Sequence, residues 1–138
     1  MKNPTIIDIP VKMEKFYGKG KMLHPTTQII EEAIRTIPTG MVATIETLCR
    51  RLAKDFETDV TCPMRTGNAI KKIVEKYVGE MVDEDLPFWR VVKNDKKVIN
   101  SKAHEYCAAR LEDEGFKLSY TKSGDIRIDL DPEKVYHF

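Results

Sequence analysis

The chain has 138 residues, of which 41% are hydrophobic and 33% are charged. This length suits one hydrophobic core and is short for two independent domains. No apolar run approaches the roughly 20 residues that a membrane-spanning helix needs, and residues 1–20 lack an apolar block followed by a small-residue cleavage site. We therefore expect one soluble, cytoplasmic, monomeric domain that does not associate with membranes.

Cysteine and histidine usage gives no sign of a disulfide framework, a metal site or a catalytic centre. Cys49, Cys62 and Cys107 are far apart and form no Cys-x-x-Cys pair, so we interpret them as ordinary reduced thiols. The three histidines lie on separate segments without metal-ligand spacing. The sequence also lacks a glycine-rich phosphate loop and a Gly-x-Ser-x-Gly elbow. No cofactor or metal is predicted.

Charge is unevenly distributed although the net charge is only +1. Residues 1–24 carry five lysines against two carboxylates, and residues 50–102 carry twelve basic against nine acidic side chains. Residues 103–138 carry five against eight. This asymmetry is compatible with a polyanion-binding face, although solvated helix surfaces give a similar pattern.

Residues 1–24 are predicted to form an arm laid against the domain. Its apolar residues alternate as in a β-strand: Ile7, Ile9, Val11 and Met13. Glycines and lysines then follow one another over residues 17–21, which is typical of a flexible basic loop.

Three helices with apolar stripes are predicted next. The first covers residues 25–37 and the second begins after Thr44, a plausible N-cap. The third starts with Thr61 as a possible cap and Pro63 in its first turn. A polar turn over residues 55–60 joins the second and third helices, so the pattern predicts a helix-turn-helix.

The first turns of the third helix carry small or hydrogen-bonding residues that we expect to be exposed: Arg65, Thr66, Gly67, Asn68 and Ala69. Gly67 costs about 1 kcal/mol of helix propensity, which suggests close approach by another group. In a helix-turn-helix the start of the second helix enters a DNA groove. Thr66, Asn68 and the helix N-terminus would then contact phosphates, and Lys71 and Lys72 would add charge.

The stretch from Leu86 to Val92 reads Leu-Pro-Phe-Trp-Arg-Val-Val. Pro87 stiffens its backbone and presents Phe88, Trp89 and Arg90. An apolar run after a proline is either the wall of a pocket or a strand entering the core, and the residues alone leave both open. Residues 89–92 and 97–99 are predicted to form a β-hairpin, which gives the helix-turn-helix a wing.

The C-terminal part is predicted to contain a fourth helix, capped by Ser101 and ended by Gly115, and then a hairpin of residues 116–120 and 126–130. Residues 136–138 are expected to pack back onto the domain. The fold class is therefore α+β, a mostly helical winged helix-turn-helix domain with short β-hairpins. Its parts are the arm (1–24), the DNA-binding domain (25–115) and a hairpin extension (116–138).

Four stretches resemble the DNA-binding domain of O6-alkylguanine-DNA alkyltransferases in order and role. They are Ile37-Pro-Thr-Gly-Met-Val-Ala-Thr44, Arg65-Thr-Gly-Asn-Ala-Ile-Lys71, Leu86-Pro-Phe-Trp-Arg-Val-Val92 and Leu111-Glu-Asp-Glu-Gly115. In that family the third stretch reads Pro-Cys-His-Arg-Val, and its cysteine accepts the alkyl group. Here Phe88 stands at the cysteine and Trp89 at the histidine that activates it. A phenyl ring has no lone pair that could accept an alkyl group.

The chain therefore resembles the alkyltransferase-like proteins, which lack the cysteine, flip a damaged guanine out of the duplex and mark it for nucleotide excision repair. The resemblance implies double-stranded DNA, possibly alkylated, and repair proteins as partners. It implies DNA contacts from the start of two helices: Thr44, Met64, Arg65, Thr66, Gly67, Asn68 and Lys71. It implies a base pocket lined by the stretch Leu86–Val92, called the proline stretch below, and by the residues after the wing. The pocket residues are Pro87, Phe88, Trp89, Arg90, Asn100 and Ser101.

Two further positions depart from the family's pattern. The family's arginine finger is the wedge side chain that fills the space left in the duplex by the flipped base. When Gly67 is aligned with the family's glycine, this finger falls at Met64 and Arg65 lies one residue later. Either side chain is therefore a candidate wedge. Ile45 replaces the tyrosine that rotates the phosphate.

Two alternatives to lesion recognition stay open. The first is a winged-helix DNA-binding regulator without a lesion pocket. The second is an active methyltransferase that uses Cys49, Cys62 or Cys107.

Overall fold

The computed structural model describes residues 3–80, 86–99 and 103–138, with the backbone alone for residues 77–80. The helices are α1 (Glu14–Tyr17), α2 (Thr27–Arg35), α3 (Ile45–Asp55), α4 (Pro63–Glu80) and α5 (His104–Asp113). The strands are β1 (Thr5–Asp8), β2 (Lys21–His24), β3 (Ala43–Thr44), β4 (Val60–Thr61), β5 (Val91–Val92), β6 (Lys117–Tyr120) and β7 (Ile126–Asp129). No helix within the described ranges is long and apolar enough to cross a membrane.

The predicted helix-turn-helix is present as α3 and α4. Thr44 caps α3, because its hydroxyl oxygen accepts the Thr47 N–H at 3.2 Å and the Thr47 hydroxyl oxygen accepts the Thr44 N–H at 3.0 Å. Leu48 and Leu52 of α3 are buried together with Ile70 of α4. The helix α2 packs against α4 and begins after Thr26, whose hydroxyl accepts the Ile29 N–H.

Thr61 does not cap α4 as predicted. It lies in β4, and its hydroxyl donates to the Cys49 carbonyl at 2.8 Å. The buried hydroxyl therefore satisfies a carbonyl in α3 and ties the turn of the helix-turn-helix to the helix before it.

The predicted arm is built into a three-stranded sheet with the order β1, β2, β4. β1 pairs antiparallel with β2, and β2 pairs parallel with β4 directly before α4. The predicted strand alternation holds only over β1, because Val11–Met13 form a 3-10 turn that leads into α1. The segment interpreted as a flexible loop ends inside β2, which begins at Lys21.

The wing is shorter than predicted. Phe88–Arg90 form a 3-10 turn, and the strand β5 pairs in parallel with β3. The return of the hairpin is reduced to a bridge between Val92 and Val98 around a turn in which Lys96 has a φ of 68°. A second bridge, from Lys97 to Arg127, connects the wing to the C-terminal hairpin.

The C-terminal hairpin β6–β7 forms as predicted and places Ile126 and Ile128 in the core. Residues beyond it return to β3, since the Tyr136 N–H donates to the Val42 carbonyl at 2.7 Å. The helix α5 starts later than predicted: its N-cap is Ala103, without a side-chain hydrogen bond. Ser101, the expected cap, lies outside the described residues. Gly115, at φ 97°, ends α5 as expected.

Candidate nucleic-acid interface

The first turns of α4 present a row of exposed side chains. Arg65, Asn68 and Lys71 are exposed, in agreement with the expected surface. Met64 is 72% exposed, which is unusual for a large apolar residue beside a charged one. Gly67 is half-buried, and a Cβ at this position would lie 3.9 Å from Ile45 Cδ1. The space left by Gly67 is therefore closed on one side by α3.

Thr66 corrects the prediction that all these residues are exposed. Its side chain is fully buried, and its hydroxyl donates to the Cys62 carbonyl one turn earlier at 2.8 Å. Thr66 precedes Ile70 by four positions and Ile73 by seven, so it belongs to the buried stripe of α4. A direct contact from the Thr66 side chain to a phosphate is wrong for this structure.

The N-terminus of α3 is occupied by the protein's own groups. Thr44 accepts the Thr47 N–H, and the Asn94 side chain of the wing turn accepts the Glu46 N–H at 2.8 Å. Two N–H groups that a phosphate would otherwise use are thus engaged. Thr44 acts as a cap here, and its predicted contact with DNA stays a prediction.

The two aromatic residues predicted to line a base pocket are core residues. Phe88 is 3% exposed and Trp89 is 4% exposed. Their rings meet edge to face at 5.3 Å, and Phe88 lies parallel to Tyr106 with ring centroids 6.0 Å apart. The Arg110 guanidinium lies 4.2 Å from the Trp89 ring. Both rings are therefore covered in this structure, and a base pocket lined by them stays a prediction.

Other predicted pocket residues are only partly accounted for. Pro87 is buried and starts the 3-10 turn that carries Phe88. Asn100 and Ser101 lie outside the described residues. Tyr106, which was not among the predicted pocket residues, is 41% exposed and is the outer member of the aromatic cluster.

The Arg90 guanidinium is part of a polar network. Its Nε donates to both carboxylate oxygens of Glu114 at 3.0 and 3.1 Å, and its Nη1 donates to the Ile37 carbonyl at 2.7 Å. The Trp89 Nε1–H donates to Glu114 Oε2 at 2.5 Å, and the Gly40 N–H donates to Glu114 Oε1 at 2.9 Å. Arg90 is thus a structural residue, which corrects its predicted place in the pocket lining.

Glu114 is the organising residue that sequence reasoning missed. It lies within the quoted stretch Leu111 to Gly115, where only the helix end was interpreted. Two features of the sequence could have indicated this pairing. They are the carboxylate of Glu114 directly before the helix-ending Gly115, and Arg90 as the one charged residue of the proline stretch. The pairing itself is visible only once α5 and the 3-10 turn are packed together.

The three cysteines are buried and free. Burial raises the pKa of Cys49 to about 11 and that of Cys107 to about 12. A thiol with a raised pKa holds little thiolate near neutral pH and is a poor nucleophile. These features argue against an alkyl acceptor at Cys49 or Cys107, and no metal-ligating cluster occurs among the residues that the structure describes.

A groove of about 580 Å³ runs along the exposed flank of the helix-turn-helix. Its walls are formed by Ile45 and Arg50 of α3, Pro63 of α4, Asn94 of the wing and Tyr17 of α1. One surface thus brings together the start of each helix, the wing and the N-terminal segment.

Comparison of the sequence with protein-family models finds no match, and no curated protein matches it. Its fold is similar to the crystal structure of S. pombe Atl1 in complex with damaged DNA containing O6-carboxymethylguanine, with a TM-score of 0.57, 19% identity and coverage of 80% of this chain and 93% of that chain. A crystal structure of S. pombe ATL in complex with DNA gives a TM-score of 0.55 and 20% identity with the same coverage. The predicted α+β fold class is confirmed by this likeness.

Proposed function

We propose that the protein binds alkylated duplex DNA without reacting with it, as a lesion-recognition protein of the alkyltransferase-like type. The observation that carries the proposal is the fold shared with a structure solved on DNA containing O6-carboxymethylguanine. Exposed Arg65, Asn68 and Lys71 at the start of α4 support it, because this part of a helix-turn-helix meets DNA.

The absence of alkyl transfer follows from the residues at the proposed site. Phe88 offers no nucleophilic atom, and the Trp89 nitrogen is a donor that is already bonded to Glu114. Alkyl transfer needs a nucleophilic atom that is activated by a general base or by a lowered pKa, and these two side chains supply neither. Recognition without turnover leaves the lesion bound, which suits a signal for nucleotide excision repair proteins.

We propose that Met64 is the wedge that enters the base stack. Apolar side chains, methionine among them, serve as wedges because they replace base stacking without needing hydrogen-bond partners. Met64 is largely exposed at the start of α4, while its neighbour Arg65 is suited to a phosphate.

The flipped base is proposed to meet Tyr106 first. The Tyr106 ring already lies parallel to Phe88 and keeps part of its surface in solvent. Base stacking on an aromatic ring contributes about 1 to 3 kcal/mol. A small displacement of Tyr106 would open the face of Phe88 to the base.

Burial of Phe88 and Trp89 favours a second candidate, a winged-helix DNA-binding regulator with no lesion pocket. The two are separated by equilibrium binding to one duplex that carries either O6-methylguanine or guanine at its centre. Lesion recognition predicts at least tenfold tighter binding to the modified duplex, or about 1.4 kcal/mol. Equal affinity for the two, with affinity varying among unmodified sequences, would support the regulator.

A further inference from the structure

The N-terminal hairpin, defined as residues 5–24, is fixed to the start of the helix that we propose for DNA binding. Leu23 pairs with Thr61, and its carbonyl accepts the Cys62 N–H at 3.0 Å directly before α4. A small separate core of Ile9, Met22 and Cys62 holds the hairpin in place. The hairpin therefore has a defined position relative to α4.

Both ends of this hairpin face the same surface as α4. At one end, Leu23 pairs with Thr61 two residues before α4 begins at Pro63, and burial and then the charge of Arg65 lower the pKa of the adjacent His24. At the other end, Tyr17 lines the groove that also contains Pro63 and Arg50. The three residue steps of β2 span about 10 Å from His24 to Lys21, and α1 with Tyr17 precedes Lys21.

The exposed segment of the hairpin between β1 and β2 is basic. Lys12, Lys15 and Lys19 are exposed, and Glu14 is the one carboxylate among residues 11–21. Lys21 is neutralised by Asp8, and Lys15 lies 5.0 Å from the Phe16 ring. Lys12 and Lys19 have no ion-pair partner among the residues that the structure describes.

We infer that the N-terminal hairpin is a second DNA contact, in which Lys12, Lys15 and Lys19 bind the phosphate backbone of the duplex flanking the site entered by α4. The inference rests on the proposed function, since it takes α4 as the primary contact. The span of β2, about 10 Å, corresponds to roughly three base-pair rises, so we expect the lysines beyond its Lys21 end to meet phosphates other than those at α4. Positive charge interleaved with exposed Phe16 suits a polyanion better than an apolar protein surface.

The test compares the full chain with the triple variant Lys12→Gln/Lys15→Gln/Lys19→Gln on an unmodified duplex at several salt concentrations. Each phosphate contact contributes about 0.9 to the slope of log K against log salt, so the slope should become shallower by about 2 to 3. The matched control is Lys117→Gln/Lys122→Gln/Lys134→Gln, which removes the same charge from the C-terminal region and should leave the slope near that of the wild type. Melting curves establish that both variants are folded.

The lesion readout separates this inference from the proposed function. The triple variant should lose affinity equally for O6-methylguanine and guanine duplexes and keep the wild-type ratio between them. If the wild type shows no lesion preference, the proposed recognition fails while the salt slope still decides the role of the hairpin. The hairpin contact would be overturned if the triple variant kept the wild-type salt slope, or if the control variant changed the slope by the same amount. In either case the exposed apolar residues of the hairpin would point to a protein partner instead.

Discussion

The Trp89 indole nitrogen donates to Glu114 Oε2 across 2.5 Å, and the same carboxylate binds the Arg90 guanidinium. Two adjacent residues of the proline stretch are thus held by one acid at the C-terminal end of α5. The resemblance implies an activating histidine at position 89 and the acceptor cysteine at position 88. In their place this chain has a ring N–H paired with a carboxylate and a phenyl ring.

Removing the Glu114 carboxylate should be strongly destabilising. Glu114→Ala leaves Arg90 as a mostly buried charge without its partner and also unpairs the Trp89 N–H. We expect a loss of roughly 3 to 5 kcal/mol in the free energy of unfolding, measured by urea denaturation. The control Glu112→Ala changes an exposed glutamate two positions earlier and should stay within about 0.5 kcal/mol of the wild type.

Restoring a thiol alone should not restore alkyl transfer. In Phe88→Cys the thiol lies in the core without a general base, so it should stay protonated, as Cys107 does. The double variant Phe88→Cys/Trp89→His adds an imidazole that Glu114 can orient, and it should gain the mass of one alkyl group from O6-methylguanine DNA. Alkylation is detected by intact-protein mass spectrometry. If Phe88→Cys alone were alkylated as fast as the double variant, the general base would be unnecessary.

Met64 is expected to govern nucleotide flipping. Met64→Ala removes the wedge and should reduce the fluorescence rise of 2-aminopurine at the target position, with roughly tenfold weaker lesion binding, or about 1.4 kcal/mol. Arg65→Gln is the comparison, because loss of a phosphate contact weakens binding to modified and unmodified duplexes alike. The reverse pattern would make Arg65 the wedge.

The buried Cys107 thiol makes stability sensitive to alkaline pH. Its pKa is raised from 9.0 to about 12, so the folded state retains a proton that the unfolded state loses above pH 9. Stability should therefore fall as the pH rises from about 9 towards 12, by about 1.4 kcal/mol at pH 10 relative to neutral pH. In Cys107→Ala this contribution disappears, so the stability difference between wild type and variant should shrink between pH 8 and pH 10.5. Parallel stability curves would contradict the assignment.

Local signals in the sequence were sufficient for the helices and the C-terminal hairpin. Thr44 as a cap, Gly115 as a stop and the alternation over β7 each depend on neighbouring residues, and each is present in the structure. The burial of Thr66 was also available from its spacing to Ile70, but its hydroxyl suggested a surface role.

Long-range pairing was not available from the sequence. The parallel contact of β2 with β4 joins residues 38 positions apart, and strands of two to four residues carry too little pattern to indicate a partner. The choice between pocket wall and core for Phe88 and Trp89 depended in the same way on distant residues. Tyr106 contacts Phe88 and Glu114 accepts a hydrogen bond from Trp89, and both are brought there only by the packing of α5.

The central claim is recognition without reaction, and native mass spectrometry of the protein with an O6-methylguanine duplex tests both halves together. In competition with an equal amount of unmodified duplex, the account predicts that the complex contains chiefly the modified duplex, with the protein at its unaltered mass. A protein that gains the mass of a methyl group, or that takes up both duplexes equally, would contradict the account.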